Sequence, residues 1–285
     1  MLPLSQKSRN PIVSQGPGAC STLTPVLTNS VPAEMIKTHP HDNGIIELRL
    51  SRPPVNALNP ALVRALSQAL DEAQAGGATG IVISGREGLF SAGLDVPELL
   101  TLDEGGMRAF WTDFFGLLEK LARSEVLVAA AFTGHSPAGG TVVGMFCDYR
   151  VLARGPFRLG LNEVQVGLIV PPLIHRGLVR LLGAYRAERH LVAGQMIGGE
   201  EALAIGLVDE VVEPGAVVDR AVGWIGQHLA MPAHALQGTR ALCRADLAGL
   251  FDGPDALDID GFVRGWFDPA TQASLKDLVK RLAGA

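Results

Sequence analysis

"PAGGTVVGMFCDYRVLARGPFRLGLNE", residues Pro137 to Glu163, decides how the rest of the chain is read. It opens on a pair of glycines, Gly139 and Gly140. An uncharged apolar run then leads to Cys147, and the stretch ends on a single acid. Two glycines at the start of a helix waste helical propensity. They make sense where something must approach the backbone N–H groups, at a helix end that carries partial positive charge. "CDYRVLA" (Cys147–Ala153) reads as a strand, and Glu163 follows a glycine-rich strand end. From periodicity alone, Asn162 would cap a short helix with Glu163 in its first turn.

Upstream, "LFSAGLDVPELL" (Leu89–Leu100) has the same plan: a strand, a tight turn of small residues, then a helix. Asp95 and Glu98 have capping-box spacing, and Pro97 suits a first helical turn, so Asp95 reads first as an N-cap. The small residues leave the N–H of Leu94 open to a ligand. One such donor from each turn, converging on one point, is how an oxyanion is held. Tight packing alone would also account for the glycines. His135, just before the second turn, reads as a packing or hydrogen-bonding neighbour rather than a titrating group.

Around these turns the pattern is strand–helix alternation. "GIIELRLSRP" (Gly44–Pro53), "GIVISG" (Gly80–Gly85) and "EVLVAAAFTG" (Glu125–Gly134) read as strands. "NPALVRALSQALDEAQAGG" (Asn59–Gly77) reads as a helix capped by Asn59. This is an α/β layered fold. From Pro214 onward the strand signal stops and three helical segments follow, so the expected divisions are a flexible tail over 1–33, a core over 34–213 and a helical region over 214–285. The tail has no acidic residue and several prolines, which suit a flexible segment better than a transit peptide.

The chain has 285 residues, 47% hydrophobic and 19% charged, with a formal charge of -5. That balance, without a Lys/Arg block, argues against a nucleic-acid surface. No apolar run is long enough to span a bilayer. Cys20, Cys147 and Cys243 are odd in number, far apart and without metal-ligand spacing, so they read as free thiols.

Together, the two turns and Glu163 resemble the crotonase, or enoyl-CoA hydratase/isomerase, superfamily, from about Gly44 to the C-terminus. "GLVDEVVEPG" (Gly206–Gly215) is similar to that family's end-of-core segment. "FSAGLD", "PAGG…CDYR" and above all "GLNE" are similar to the pattern of the mitochondrial-type Δ3,Δ2-enoyl-CoA isomerases. The resemblance implies a spiral of β-β-α turns with a helical C-terminal trimerisation region. It implies a coenzyme A thioester as substrate, with no separate cofactor and no metal. By motif, the N–H groups of Leu94 and Gly139 would form the oxyanion hole and Glu163 would be the base. Ala92, Gly93, Leu94, Asp95 and Val96, with Gly139 and Asn162, would line the substrate site. "RPPVNALN" (Arg52–Asn59) resembles the loop that lies along the CoA moiety, and Lys276, Lys280 or Arg281 would be candidates for its phosphates.

Hydratases of the family carry two catalytic glutamates, and the position of the first is Val142 here. A single base suffices for an allylic proton shift, taking a proton from C2 and returning it at C4. The implied reaction is therefore movement of a double bond from C3 to C2. The alternatives are a hydratase with altered residues and an inactive crotonase-fold binding protein. Thr133, His135 and "PPLIHRG" (Pro171–Gly177) depart from the isomerase pattern, which leaves the acyl-chain preference open. A homotrimer or a dimer of trimers is expected, because Leu242, Phe251, Phe262, Trp266 and Leu278 would otherwise be an exposed apolar patch. The expected compartment is the cytoplasm in a bacterium, or the mitochondrial matrix in a eukaryote.

Overall fold

The computed structural model describes residues 35–253 and 257–283, so the expected tail and Cys20 lie outside the described residues. Ten strands among them make two sheets. The strands are β1 (Ile36–Pro40), β2 (Ile45–Leu50), β3 (Gly80–Ser84), β4 (Gly88–Leu89) and β5 (Leu127–Phe132). They continue with β6 (Gly134–Pro137), β7 (Tyr149–Ala153), β8 (Leu159–Gly160), β9 (Met196–Ile197) and β10 (Glu210–Val212). The larger sheet runs β1-β2-β3-β5-β7-β10 and the smaller one β4-β6-β8-β9. β1 is antiparallel to β2, and the other pairs of the larger sheet are parallel.

Three successive segments repeat one plan. Each gives a long strand to the larger sheet, a short strand to the smaller one, and then a helix. β3 and β4 are followed by α1's successors α2 (Val96–Leu99) and α3 (Glu104–Arg123), α1 (Pro60–Ala75) having come before them. β5 and β6 are followed by α4 (Gly139–Met145), and β7 and β8 by α5 (Pro172–Leu182). This is the expected spiral of β-β-α turns.

Alternation along the strands divides the core. Leu48, Ile81, Ile83, Val128, Ala130 and Leu152 face the main cluster beneath α1 and α3. Ile45, Val82, Leu127, Ala129 and Val151 face the other way, where Val217, Ala221 and Ile225 of the later helix Val217–Leu229 cover them. In α3, Met107, Phe110, Trp111, Phe114, Phe115, Leu118 and Leu121 recur at helical spacing and are buried. Asp103 caps that helix through the N–H of Gly106 at 2.7 Å.

After α6 (Ala184–Ala193) and α7 (Gly199–Ile205), the C-terminal part is helical: α8 (Val217–Leu229), α9 (Ala233–Ala248), α10 (Ile259–Trp266) and α11 (Pro269–Ala283). The expected apolar patch there is corrected in part. Trp266 and Phe251 are buried, and Phe262 and Leu278 pack against the main cluster. Helix α10 turns its apolar face inward, with Phe262 against Trp111 at 4.2 Å between ring centroids. Of the five residues only Leu242 is left as a large exposed side chain. No described helix is long and apolar enough to cross a membrane.

Candidate active site

Strands β4, β6 and β8 are parallel neighbours, paired Gly88 to Gly134 and Ser136 to Leu159. All three chains therefore leave the smaller sheet on the same side. The turn holding Leu94 follows β4, Gly139 follows β6, and Glu163 follows β8. The two small-residue turns touch: a Cβ on Gly93 would lie 2.9 Å from the Pro137 carbonyl oxygen, and one on Gly140 would lie 3.1 Å from Ser91 Cβ. Their small residues serve this close approach.

In the first turn nearly every N–H is bound. Ser91 donates to His135 O at 3.3 Å, Ala92 to Val55 O at 2.9 Å and Gly93 to Ser91 Oγ at 3.1 Å. Asp95 donates to Leu58 O at 3.0 Å and Val96 to Leu94 O at 2.9 Å. Among the described residues, no acceptor meets the N–H of Leu94. The Asp95 carboxylate is committed elsewhere: it accepts from Glu98 N at 3.1 Å and pairs with Arg52 at 2.8 Å. Asp95 is the N-cap that its spacing suggests.

In the second turn Ala138 donates to Gly160 O at 2.8 Å, tying this turn to the end of β8. Gly139 is the first residue of α4, so its N–H has no carbonyl one turn back. Ala138 holds φ 44° and ψ -117°, and its side chain offers no cap. Helix α4 is buried along its whole length, Val142 included.

Glu163 opens a 3-10 turn, Glu163–Val166, closed by Gly167 in the left-handed region. Asn162 occupies the N-cap position but makes no side-chain capping bond, so the capping role suggested by periodicity is not what it does. It is half-buried beside the acid. The Glu163 carboxyl is buried, and its Oε2 has no hydrogen-bond partner. Burial raises its pKa from the ordinary 4.5 to about 7, against a smaller opposing pull from a backbone hydrogen bond. A carboxyl with that value exchanges protons readily near neutral pH.

His135 accepts from Arg158 N through Nδ1 at 3.2 Å and stands edge-on to Phe157 at 5.4 Å. It is the hydrogen-bonding neighbour that the sequence suggests. Cys147 is buried and Cys243 exposed, both free, and burial pushes the Cys147 thiol up to about 12. Lys280 pairs with Asp277 at 3.0 Å on an exposed helix face. Beside the loop after β2, a cleft of about 540 Å³ is lined by Lys37, Arg49, Pro53, Pro54 and Arg86. Among the described residues, no three His, Cys, Asp or Glu side chains gather so as to hold a metal ion.

The sequence reading missed the polar group behind the first turn. Arg52 reaches Asp95, Glu98 at 2.9 Å and the Ala57 carbonyl at 3.0 Å, and the Asn59 amide donates to both Glu98 oxygens. The only local signal was the charge of Arg52 at the head of its loop.

Two sheets wound from β-β-α repeats, with three turns gathered at parallel strand ends, define a crotonase fold. Residues 40–249 match the Enoyl-CoA hydratase/isomerase family, and the chain belongs to it. It is 34% identical over 242 residues to the mitochondrial enoyl-CoA delta isomerase 1 of Homo sapiens, covering 84% of this chain and 80% of that protein. It is 30% identical over 229 residues to a probable enoyl-CoA hydratase of Mycobacterium avium, covering 80% and 87%. The crystal structure of human mitochondrial delta3-delta2-enoyl-CoA isomerase superposes with a TM-score of 0.83 at 32% identity, covering 88% of this chain and 98% of that one.

Proposed function

We propose that this chain is a Δ3,Δ2-enoyl-CoA isomerase acting with one base. The observation that carries the reading is Glu163: a buried carboxyl just after β8, the strand beside β6, with one oxygen unpartnered and a pKa raised to about 7. The other acid at these turns, Asp95, is already spent on Arg52 and a helix cap. The thioester carbonyl would accept from the N–H groups of Leu94 and Gly139. The Glu163 carboxylate would take a proton from C2, leaving a dienolate whose charge those two donors hold. The same carboxyl would return the proton to C4, leaving the double bond between C2 and C3. No atom is gained or lost, and no cofactor or metal is asked for.

Ala92, Gly93, Asp95 and Val96, with Asn162, would line the acyl end of the site, Asp95 by packing alone, since its N–H, carbonyl and carboxylate are already bonded. The cleft beside Pro53 and Pro54 has cationic side chains in Lys37 and Arg86 suited to the phosphates of CoA. A homo-oligomer, trimer or hexamer, belongs to this reading. Bacterial cytoplasm and mitochondrial matrix both fit it, since the similar proteins include mitochondrial and mycobacterial ones.

The hydratase-named relative favours a second reading, hydration of 2-enoyl-CoA. Val142 stands against it, because hydration asks for a second group to handle the water. Purified protein given 3-enoyl-CoA and, separately, 2-enoyl-CoA decides between them. The isomerase reading expects turnover of the first to 2-enoyl-CoA. Hydration of the second as the faster reaction would replace it.

A further inference from the structure

We infer that Arg52 is a positioning residue: its guanidinium staples the loop of residues 52–59 to the turn of residues 91–98 and thereby aims the Leu94 N–H. This rests on reading that N–H as a donor to the substrate carbonyl.

The chain of contacts is short. One Arg52 nitrogen reaches Asp95 Oδ2 at 2.8 Å and also donates to the Ala57 carbonyl at 3.0 Å. The other donates to Glu98 Oε2 at 2.9 Å. Glu98 in turn accepts from the Asn59 amide at 3.0 and 2.8 Å, while the Asn59 oxygen caps α1 through Leu62 N at 2.8 Å. Leu58 is thus held on both sides, at Ala57 and at Asn59.

Leu58 is where the staple meets the site. Its N–H donates to the Gly93 carbonyl at 2.7 Å, and its carbonyl accepts from Asp95 N at 3.0 Å. In a trans peptide the C=O and N–H point to opposite sides. Fixing the Gly93 carbonyl on Leu58 therefore directs the Leu94 N–H away from Leu58. The Leu58 side chain also stands against the second donor, since a Cβ on Gly139 would lie 2.8 Å from Leu58 Cδ1.

The first half of the loop has other anchors. Asn56 donates to Leu50 O at 3.2 Å and Phe90 O at 3.0 Å, and Ser91 Oγ donates to Asn56 O at 2.7 Å. Loss of the Arg52 fork therefore leaves the loop in place and loosens its second half, where Leu58 lies. A planar fork can hold two carboxylates and a carbonyl in fixed directions, which a lysine cannot.

The test compares wild type, Arg52→Met and Arg52→Lys by thermal unfolding, by kcat and KM on 3-hexenoyl-CoA, and by the absorption of bound 2,4-hexadienoyl-CoA. The absorption of that conjugated thioester moves to the red when its carbonyl accepts strong hydrogen bonds. We expect kcat to fall roughly ten- to a hundredfold in Arg52→Met, as for a misaimed donor. KM should change far less, the red shift should shrink, and lysine should restore little of either. An unchanged kcat and red shift overturns the inference, as does a loss confined to KM or to melting temperature. If Arg52→Met does not fold, Glu98→Gln takes its place, with a smaller loss of kcat and red shift expected and no loss overturning the inference. A wild-type chain that neither isomerises nor shifts the probe removes the reading beneath it, and the positioning role falls with that reading.

Discussion

Gly93 and Pro137 meet backbone to backbone: a Cβ on Gly93 would lie 2.9 Å from the Pro137 carbonyl oxygen, and Gly93 holds φ +81°. Both facts demand glycine. Gly93→Ala should cost about 1–3 kcal/mol in strain and push the two turns apart, with about a hundredfold loss of kcat/KM. Gly77→Ala is the control. It has the same backbone demand, φ +82°, but nothing within 4 Å of the added atom. It should lower the melting temperature and leave the rate alone. Equal rates in the two variants would show that the approach of the turns does not matter to catalysis.

Ala138 carries strain of a different kind. Its φ 44° and ψ -117° lie near the second residue of a type II′ turn, where glycine belongs. Ala138→Gly should relieve about 1–3 kcal/mol of strain and lose part of that gain to unfolded-chain entropy. A net stabilisation of about 1 kcal/mol in urea unfolding is expected. A destabilised variant would show that the turn is not strained at this residue.

What could be read from the sequence was local. Asn59 caps α1 and Asp95 caps α2, each through its side-chain oxygen, because capping chemistry involves only three or four consecutive residues. β2, β3, β5 and β7 fall inside the segments read as strands, and the last strand ends at Val212, just before the expected boundary at 213. β4 and β8, two residues each, are too short for a period-2 signal. Their pairing with β6 brings the three turns together, and pairing is not a local property. The staple at Arg52 escaped notice for the same reason, since Glu98 lies 46 residues away. Phe251 and Trp266 were misjudged because helical patterning shows which residues share a face, not what covers it.

The Glu163 ionisation sets two pH dependences. As the base, Glu163 must be unprotonated, so kcat/KM should rise with pH through about 7 and then level off. Stability should move the other way. The native carboxyl holds its proton up to about 7, and the unfolded one releases it near 4.5. Between those values the native state binds more protons, so stability falls as pH rises, and the fall ends above about 7. The total is on the order of 3 kcal/mol. Urea unfolding at pH 5 and pH 8 for wild type and Glu163→Gln measures it: the stability of the variant relative to wild type should rise from pH 5 to pH 8. A constant difference across that range would contradict the buried, raised carboxyl.

The oligomer has its own test. Leu242, Tyr185 and Val192 are exposed, and Ile169 is 83% exposed, although most of the side chains expected in the patch are covered within the chain. Light scattering at micromolar protein should give three or six times the 30.0 kDa chain mass. A single chain mass would remove the oligomer from the account.

The central claim is that Glu163 alone carries the proton from C2 to C4. Glutamine keeps the shape of the side chain but cannot take up a proton at neutral pH. Val142, where hydratases of the family carry a glutamate, offers no substitute. The most direct measurement is turnover of 3-enoyl-CoA by folded Glu163→Gln, with acyl-CoA binding measured beside it. The account predicts a loss of a hundred- to about ten-thousandfold in kcat with binding nearly intact. Retention of more than about a tenth of the wild-type rate, far short of the share expected of a general base, would contradict it.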